Sequence, residues 1–137
     1  MNEIRVKAEI DQVSYVCQTI DKILEAAQCP TKAQIAVDIA IDEILSNICY
    51  YAYKEESGEA IILVDIHENP KAVSLCFVDS GTPYNPLEKP DPDISLSADE
   101  RPIGGLGIFM VKKSMDKVNY EYKDGQNRFT IYKIFDQ

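Results

Sequence analysis

The chain is organised around the helical pattern Asp42-Glu43-Ile44-Leu45-Ser46-Asn47-Ile48-Cys49-Tyr50-Tyr51-Ala52-Tyr53. A helix turns by about 100° per residue, so Glu43, Asn47 and Tyr51 form a stripe along its surface. The adjoining face is apolar and consists of Ile41, Ile44, Leu45, Ile48, Cys49 and Ala52. A carboxylate and an amide beside a core face suit a metal, a phosphate or a proton relay. Taken alone, this stretch is more simply interpreted as a partly solvated helix flank.

Two later stretches change that balance. The first, Asp79-Ser80-Gly81-Thr82-Pro83-Tyr84-Asn85-Pro86, follows an apolar strand pattern. The second, Gly104-Gly105-Leu106-Gly107-Ile108-Phe109-Met110-Val111, opens an apolar helix. With the Glu43/Asn47 helix they resemble, in order and spacing, the three ATP-binding boxes of the histidine-kinase-like (GHKL) ATPase superfamily.

Within that superfamily the sequence is most similar to the small anti-sigma-factor serine kinases. Their first box reads E-x-x-x-N-x-x-x-H-A-Y, and this chain keeps the glutamate, the asparagine and the pair Ala52-Tyr53. Three boxes in the right order are far more specific than any single one. The resemblance covers nearly the whole chain, and it implies an ATP-binding domain with this family's fold.

Hydrophobic periodicity predicts the elements independently of the resemblance. Three helices are expected: one after a cap at Asp11, one from a cap at Thr31 to about Tyr53, and one after the glycines to about Asp116. Alternating patterns, β-rich apolar runs and turn signals predict strands at residues 2–10, 60–67, 72–79, 118–123 and 128–135. The sum is an α+β fold, a two-layer sandwich of a mixed, mostly antiparallel sheet covered by about three helices.

With 137 residues the chain is expected to form a single domain, 1–137. Between Ser80 and Ile103 periodicity disappears, and five prolines punctuate a stretch of mixed charge. Long structureless segments inside compact domains commonly serve as lids, so an ATP lid is predicted at about residues 82–103. A surface insertion without function is the alternative.

Composition limits the partners and the setting. The net charge of −9 argues against direct nucleic-acid binding and suits partners with basic patches. No apolar run approaches the roughly 20 residues that span a bilayer, so no membrane contact is expected. The four cysteines show no CxxC spacing and no signal-like N-terminus accompanies them, which favours reduced thiols in the cytoplasm.

The chemistry of the two later boxes can be read from the residues. Asp79 ends an apolar strand face, where its carboxylate could accept a hydrogen bond from an exocyclic amine, and Gly81 would give a base room to approach. A simple turn after a strand is the alternative. The glycines before the third helix offer backbone N–H groups to phosphate oxygens. Their spacing matches neither a P-loop nor a dinucleotide-binding fingerprint.

The resemblance assigns roles within this site, with ATP and Mg²⁺ as its cofactors. Glu43 is similar to the family's general base, and Asn47 to its magnesium ligand. Arg101 is the cation nearest the glycine turn and is expected to neutralise phosphate charge. The positions expected to contact the nucleotide are Asn47, Tyr51, Asp79, Gly81, Arg101, Gly104, Gly105, Leu106, Gly107, Ile108 and Thr130.

Two positions depart from the family pattern. Tyr51 stands where the family usually has histidine, which can alter contacts to the metal or the phosphates. Asn85 stands where the family commonly has aspartate, which removes one charge from the predicted lid. The general base and the metal ligand implied by the resemblance are both retained.

The resemblance implies an anti-sigma factor that is also an ATP-dependent serine kinase. Such a protein sequesters a sigma factor and phosphorylates an anti-anti-sigma protein of the STAS type; a homodimer is also expected. The alternative is a nucleotide-binding module that sequesters a partner without phosphotransfer, and Tyr51 keeps that reading open. A detached histidine-kinase domain is disfavoured, since such an enzyme needs a helical pair carrying a phosphorylatable histidine and His67 lies in a strand pattern.

Overall fold

The computed structural model describes residues 2–53, 56–88 and 106–136. Its described strands form one sheet in the order β1-β2-β3-β5-β4, and each neighbouring pair is antiparallel. The strands are β1 (Asn2–Lys7), β2 (Glu59–His67), β3 (Ala72–Asp79), β4 (Lys117–Lys123) and β5 (Gln126–Ile134). The expected mostly antiparallel sheet is therefore confirmed, and the described pairs contain no parallel one.

Three helices accompany the sheet: α1 (Val13–Ala26), α2 (Thr31–Asn47) and α3 (Leu106–Ser114). Helix α2 contacts both α1 and α3, so it is the middle helix of the layer. The predicted α+β sandwich with about three helices is confirmed. Helix α2 is thereby centred over the sheet, and its stripe of polar residues lies near the chain that follows β3.

The core lies between the helices and one face of the sheet. Period two along β3 places Val73, Leu75, Phe77 and Asp79 on that face, and all four are buried. The same alternation that buries the apolar residues therefore places the Asp79 carboxyl group at the edge of the core. Facing side chains that are fully or almost fully buried include Val16, Ile20, Leu24, Val37, Ile41, Leu45, Ile62, Val64 and Ile131.

The helix starts differ from the predicted caps. Asp11 lies inside a 3-10 turn, Ile10–Gln12, and does not cap α1. Thr31 is already the first residue of α2, with Pro30 in the capping position. Pro30 has φ −60° and ψ 147°, the extended backbone typical of a capping position, and it makes no side-chain hydrogen bond to the helix.

The helix that carries Glu43 and Asn47 also changes geometry directly after Asn47. It is α-helical only to Asn47 and continues as a π-helical turn, Ile48–Ala52, which corrects the prediction of regular helix to Tyr53. The carbonyl of Ala52 accepts a hydrogen bond from the N–H of Thr82 at 2.9 Å. The end of the helix is thus bonded to the segment after β3, and π turns of this kind occur often at functional sites.

Candidate active site

A cavity of about 520 Å³ opens where α2, the end of β3, α3 and the last hairpin meet. Its walls are mainly apolar and aromatic, and a few polar side chains converge on it, as is typical of ligand sites. Residues that line it include Glu43, Asn47, Tyr51, Asp79, Thr82, Tyr84, Ile108, Tyr120, Asn127 and Phe129. Segments that are far apart in the sequence therefore share one pocket.

Glu43 and Asn47 form a hydrogen-bonded pair on α2. The Asn47 Nδ2 donates to Glu43 Oε1 at 3.2 Å across one helical turn. Within the described residues this leaves the Asn47 carbonyl oxygen without a hydrogen-bond partner. The pair therefore presents a carboxylate and a free amide oxygen at the cavity wall.

Helix α3 approaches this pair through a glycine. A Cβ built on Gly107 would lie 1.9 Å from Cδ of Glu43 and about as close to both of its carboxylate oxygens. Such distances are far below van der Waals contact, so any side chain at position 107 would force the Glu43 carboxylate to move. The third box of the sequence thus lies directly on the first.

Asp79 is the buried carboxyl group of the site, with 6% of its surface exposed. Its Oδ1 accepts hydrogen bonds from the N–H of Gly81 and from Asn127 Nδ2, each at 2.9 Å. Burial raises the pKa of Asp79, while the bonds from Asn127 and Gly81 act in the opposite direction. No hydrogen bond from the described residues reaches Oδ2, so that oxygen is left to a ligand.

The turn after Asp79 is fixed against the end of the organising helix. A Cβ on Gly81 would lie 2.2 Å from the carbonyl oxygen of Ala52. The Tyr53 hydroxyl donates to the carbonyl of Glu59 at 2.6 Å and accepts from the N–H of Ser80 at 2.8 Å. These contacts join the first and second boxes.

The comparisons with known proteins agree with this convergence. Residues 6–133 match the family model described as the histidine kinase-like ATPase domain. The chain belongs to that family. The match to this ATPase family spans most of the chain and includes every box around the cavity.

Two bacterial kinases are similar to this family member in sequence. It is 28% identical to the serine/threonine-protein kinase BtrW of Bordetella bronchiseptica over 100 residues, which are 73% of this chain and 70% of BtrW. It is 27% identical to the serine-protein kinase RsbW of Bacillus thuringiensis over 127 residues, 90% of this chain and 78% of RsbW. The predicted resemblance to small serine kinases of this superfamily is confirmed.

A solved structure extends the comparison to the fold. It contains the RsbU and RsbW domains of Rv1364c from Mycobacterium tuberculosis and superposes with a TM-score of 0.68 at 13% identity. The match covers 98% of this chain and 32% of that one, so this chain spans about a third of the larger protein. At this identity the likeness concerns the fold, and it confirms the predicted architecture.

The structure brings most of the predicted site residues of this ATPase-family chain together. Glu43, Asn47, Tyr51, Asp79 and Ile108 line the cavity, and Gly107 and Gly81 pack against its walls. Tyr51 is 67% exposed, as expected for a side chain at a mouth. Ile108, in contrast, is buried and forms part of the apolar wall.

Four predicted positions lie at the start of α3 or shortly before it in the sequence. Arg101, Gly104 and Gly105 lie outside the described residues. Leu106 is the first residue of α3, directly before Gly107, which contacts Glu43. The segment 89–103 of the predicted lid also lies outside, whereas its start includes a 3-10 turn, Pro86–Glu88.

Thr130 is a correction to the predicted set. Along β5, Asn127, Phe129 and Ile131 point to the helices and are buried, so period two places Thr130 on the opposite face of the sheet. It pairs with Cys76 of β3 and does not line the cavity. The residue of β5 that reaches Asp79 is Asn127, which the sequence reasoning missed.

A signal for Asn127 was present in the sequence. It is a polar residue in phase with the apolar positions Phe129 and Ile131, as Asp79 is in phase with Leu75 and Phe77. The register of β3 and β5 places Asp79 directly opposite Asn127. Two polar residues on the core faces of paired strands are expected to bond to each other, because buried polar groups rarely remain unpaired.

The described residues include no group of three or more His, Cys, Asp or Glu side chains arranged to hold a metal ion. A magnesium ion that travels with a nucleotide needs less, because it keeps several waters and takes one or two protein oxygens besides the phosphates. The free carbonyl oxygen of Asn47, next to the Glu43 carboxylate, fits that requirement. The donor set is compatible with Mg²⁺ that arrives with ATP.

In the described parts of the chain, no helix has both the length and the apolar character needed to cross a membrane.

Proposed function

We propose that this chain is an anti-sigma factor and an ATP-dependent serine protein kinase that phosphorylates an anti-anti-sigma protein of the STAS type. The observation that carries the proposal is the convergence of Glu43, Asn47 and Asp79 on one cavity, with Gly107 of α3 directly against Glu43. The names of BtrW and RsbW, which are serine kinases, support the reaction type.

The nucleotide base would bind at the Asp79 end of the cavity. The free Oδ2 of Asp79 would accept a hydrogen bond from the adenine exocyclic amine, and Phe129 and Ile108 supply apolar surface for the ring. The triphosphate would then run along α2 towards Glu43 and the start of α3. Helix N-termini favour anions because their N–H groups are unpaired and the helix dipole is positive there.

Asn47 would hold Mg²⁺ through its free amide oxygen. When bound, the ion would neutralise phosphate charge and orient the terminal phosphoryl group. The Glu43–Asn47 hydrogen bond keeps the amide nitrogen turned towards Glu43, so the oxygen remains available. An amide suits this position because its nitrogen can donate to Glu43. A carboxylate there would place a like charge next to Glu43.

Glu43 would act as the general base. Its carboxylate accepts the proton of a substrate serine hydroxyl while the serine oxygen forms a bond to the γ-phosphorus of ATP. The bond between that phosphorus and the bridging oxygen breaks, and ADP leaves with the electron pair. Close packing against Gly107 limits the positions that the carboxylate can take.

The partners are proposed from the family resemblance and the charge. A net charge of −9 suits a sigma factor, whose DNA-binding surfaces are basic. Phosphorylation of the anti-anti-sigma protein would leave the sigma factor bound and transcription repressed. A cytoplasmic setting and a homodimer belong to the same proposal, as does a lid at about residues 82–103.

Phosphoryl transfer to a candidate substrate tests the proposal. The full chain is incubated with γ-labelled ATP, Mg²⁺ and each STAS-type protein of the same organism, and the modified residue is mapped by mass spectrometry. We expect one phosphoserine, and a loss of at least about 100-fold for Glu43→Gln. Asp42→Asn is the matched control, because that side chain is exposed on the same helix. An unmodified substrate, or full activity of Glu43→Gln, would refute the kinase assignment.

A second candidate is a nucleotide-binding regulator that sequesters its partner without phosphotransfer. The observation that favours it is Tyr51, which is 67% exposed at the cavity where the family usually has histidine. Calorimetry would then show ATP binding, while the kinase assay would show no transfer for either the wild-type chain or Tyr51→His. Transfer that appears only in Tyr51→His would identify this residue as the reason for the loss.

A further inference from the structure

One buried side chain at the cavity has no role in the chemistry above. Asn127 is 6% exposed and lies on β5 opposite Asp79. We propose that Asn127 is a positioning residue that fixes the Asp79 carboxylate for recognition of an adenine amine and ties it to residues 82–84. The inference rests on the proposed nucleotide site and assigns to it a determinant of base specificity.

The side-chain amide of Asn127 makes all of its hydrogen bonds to groups of the protein itself. Its Nδ2 donates to Asp79 Oδ1 at 2.9 Å and to the carbonyl of Thr82 at 3.0 Å. Its Oδ1 accepts from the N–H of Tyr84 at 3.1 Å and from the Tyr120 hydroxyl. An amide offers two donor hydrogens and two acceptor lone pairs, so nothing is left for a ligand. Asn127 therefore acts through the residues it holds.

The surrounding donors fix which way the amide points. Tyr84 N–H is a donor that cannot accept, and Tyr120 donates its hydroxyl hydrogen to the same oxygen. The amide oxygen must face these two groups, and the NH₂ group must face Asp79 and Thr82. The hydroxyl of Tyr120, on neighbouring strand β4, thus sets the orientation that Asp79 requires.

This arrangement has a direct effect on Asp79. Two donors, from Asn127 and Gly81, occupy Oδ1 and leave Oδ2 as the oxygen available for a base. A carboxylate oxygen accepts from the amine of adenine but repels the carbonyl oxygen that guanine presents at the equivalent position. Burial raises the pKa of Asp79, whereas the hydrogen bond from Asn127 lowers it. This hydrogen bond therefore favours the charged form of Asp79.

The same side chain connects the base site to the first part of the predicted lid. Thr82 and Tyr84 lie at the cavity, and their backbone groups bond to Asn127 from two sides. Without Asn127, three groups would each lose a hydrogen bond: the Asp79 carboxylate, the carbonyl of Thr82 and the N–H of Tyr84. Base recognition and the position of residues 82–84 are therefore expected to change together.

Nucleotide binding by an Asn127 variant tests this role. Dissociation constants for ATP and GTP are measured by calorimetry from pH 5.5 to 8.5 for the wild-type chain, Asn127→Ala and Asn119→Ala. Asn119 is an exposed asparagine on β4 that points to the other face of the sheet. For Asn127→Ala we expect roughly tenfold weaker ATP binding and a reduced preference for ATP over GTP.

The pH dependence separates positioning from general damage. Without the bond from Asn127 the pKa of Asp79 rises further, so ATP affinity should begin to fall at a higher pH than in the wild-type chain. Asn119→Ala should match the wild type. If Asn127→Ala does not fold, Tyr120→Phe removes only the hydroxyl donor and should lower the ATP preference in the same direction.

The outcomes are distinct. The inference is overturned if the folded variant, Asn127→Ala or otherwise Tyr120→Phe, keeps the wild-type ATP preference and the wild-type pH profile. A wild-type chain that binds no ATP overturns the nucleotide site itself and this inference with it. Wild-type ATP binding without phosphotransfer leaves this inference intact and removes only the kinase activity.

Discussion

Gly107 and Glu43 are in such close contact that no side chain at position 107 fits with the observed position of the carboxylate. A Cβ there would lie 1.9 Å from Cδ of Glu43. One residue belongs to α3 and the other to α2, so the contact sets the distance between two predicted boxes. It also means that the proposed base is held by a backbone surface.

Replacing this glycine should separate activity from stability. In Gly107→Ala the Glu43 side chain must leave its position, and phosphotransfer should fall by about 100-fold or more. The displaced atoms are the end of a flexible side chain, so moving them costs little. Alanine is also up to about 1 kcal/mol more favourable than glycine inside a helix, so the free energy of unfolding should change little. Kinase assays and urea unfolding measure the two effects.

A double variant provides the control for this prediction. With Glu43→Ala in the background, the added methyl group at position 107 has no carboxylate to displace, so Gly107→Ala should then be neutral or stabilising. A fully active Gly107→Ala protein would show that the contact does not restrict Glu43 during catalysis.

Gly81→Ala, unlike Gly107→Ala, should lower the free energy of unfolding. Its Cβ would meet the backbone carbonyl oxygen of Ala52 at 2.2 Å, and a backbone atom cannot move aside as a side chain can. We expect a loss of about 1–3 kcal/mol in the free energy of unfolding, typical of overpacking, together with weaker ATP binding. Chemical unfolding measures the first quantity. Equal stability of Gly81→Ala and the wild type would contradict the tight turn.

Much of the fold could be predicted because periodicity and packing agree along the chain. The alternation of Val73, Leu75 and Phe77 predicts both strand β3 and the core position of Asp79. The stripe of Glu43 and Asn47 beside an apolar face likewise places both residues at the cavity wall. In each case the position of the side chain relative to the core follows from the period of the element alone.

The errors arose where tertiary contacts override local patterns. The π-helical turn Ile48–Ala52 follows no signal in the sequence, and its last carbonyl bonds to Thr82 from a distant segment. Thr130 was assigned by resemblance alone, and the phase of β5 excludes it from the cavity. The phase of Asn127 in β5 is visible in the sequence, but its bond to Asp79 depends on the register between β3 and β5, which a single strand pattern does not contain.

Asp79→Asn should abolish the preference for ATP without loss of stability. The two donors at Oδ1 would hold the amide oxygen in that place, so the new NH₂ group would face the adenine amine. We expect ATP binding to weaken by about 10- to 100-fold, because a hydrogen bond to a charged acceptor contributes about 1.5–3 kcal/mol. Calorimetry with ATP and GTP measures this change.

The stability of Asp79→Asn follows from the sign of the pKa shift. Burial raises the pKa of Asp79, so folding favours the protonated form and the charged carboxylate costs stability at neutral pH. A neutral side chain of the same shape should leave the Tm at pH 7.5 unchanged or higher. A clear drop in Tm together with unchanged ATP binding would mean that Asp79 is a structural residue.

A second carboxyl group with a raised pKa lies between α1 and α2. Burial, then hydrogen bonding and repulsion from Asp21, then repulsion from Glu25, raise the pKa of Asp38 from 3.8 to about 7. Oδ1 of Asp38 and Oδ1 of Asp21 are both buried, and no donor among the described residues reaches either oxygen. The hydrogen bond between the two groups therefore forms only when Asp38 carries a proton, which favours its protonated form. Two acidic groups therefore face each other in the helix layer, where the charge on Asp21 disfavours the charged form of Asp38.

Asp38→Asn should stabilise the protein in a pH-dependent way. Because the folded-state pKa is above the unfolded one, the stability contributed by Asp38 is complete below about pH 4 and is lost as the pH rises through about 7. At pH 8 we expect the free energy of unfolding of Asp38→Asn to be about 1–2 kcal/mol higher than that of the wild type, a value reduced for partial exposure. At pH 4 the two proteins should differ little.

Urea titrations from pH 4 to 8 measure this difference in the free energy of unfolding, with the exposed Asp42→Asn on the same helix as the control. A constant difference between wild type and Asp38→Asn from pH 4 to 8 would show that Asp38 does not titrate in this window, and the repulsion from Asp21 would then have no effect on folding.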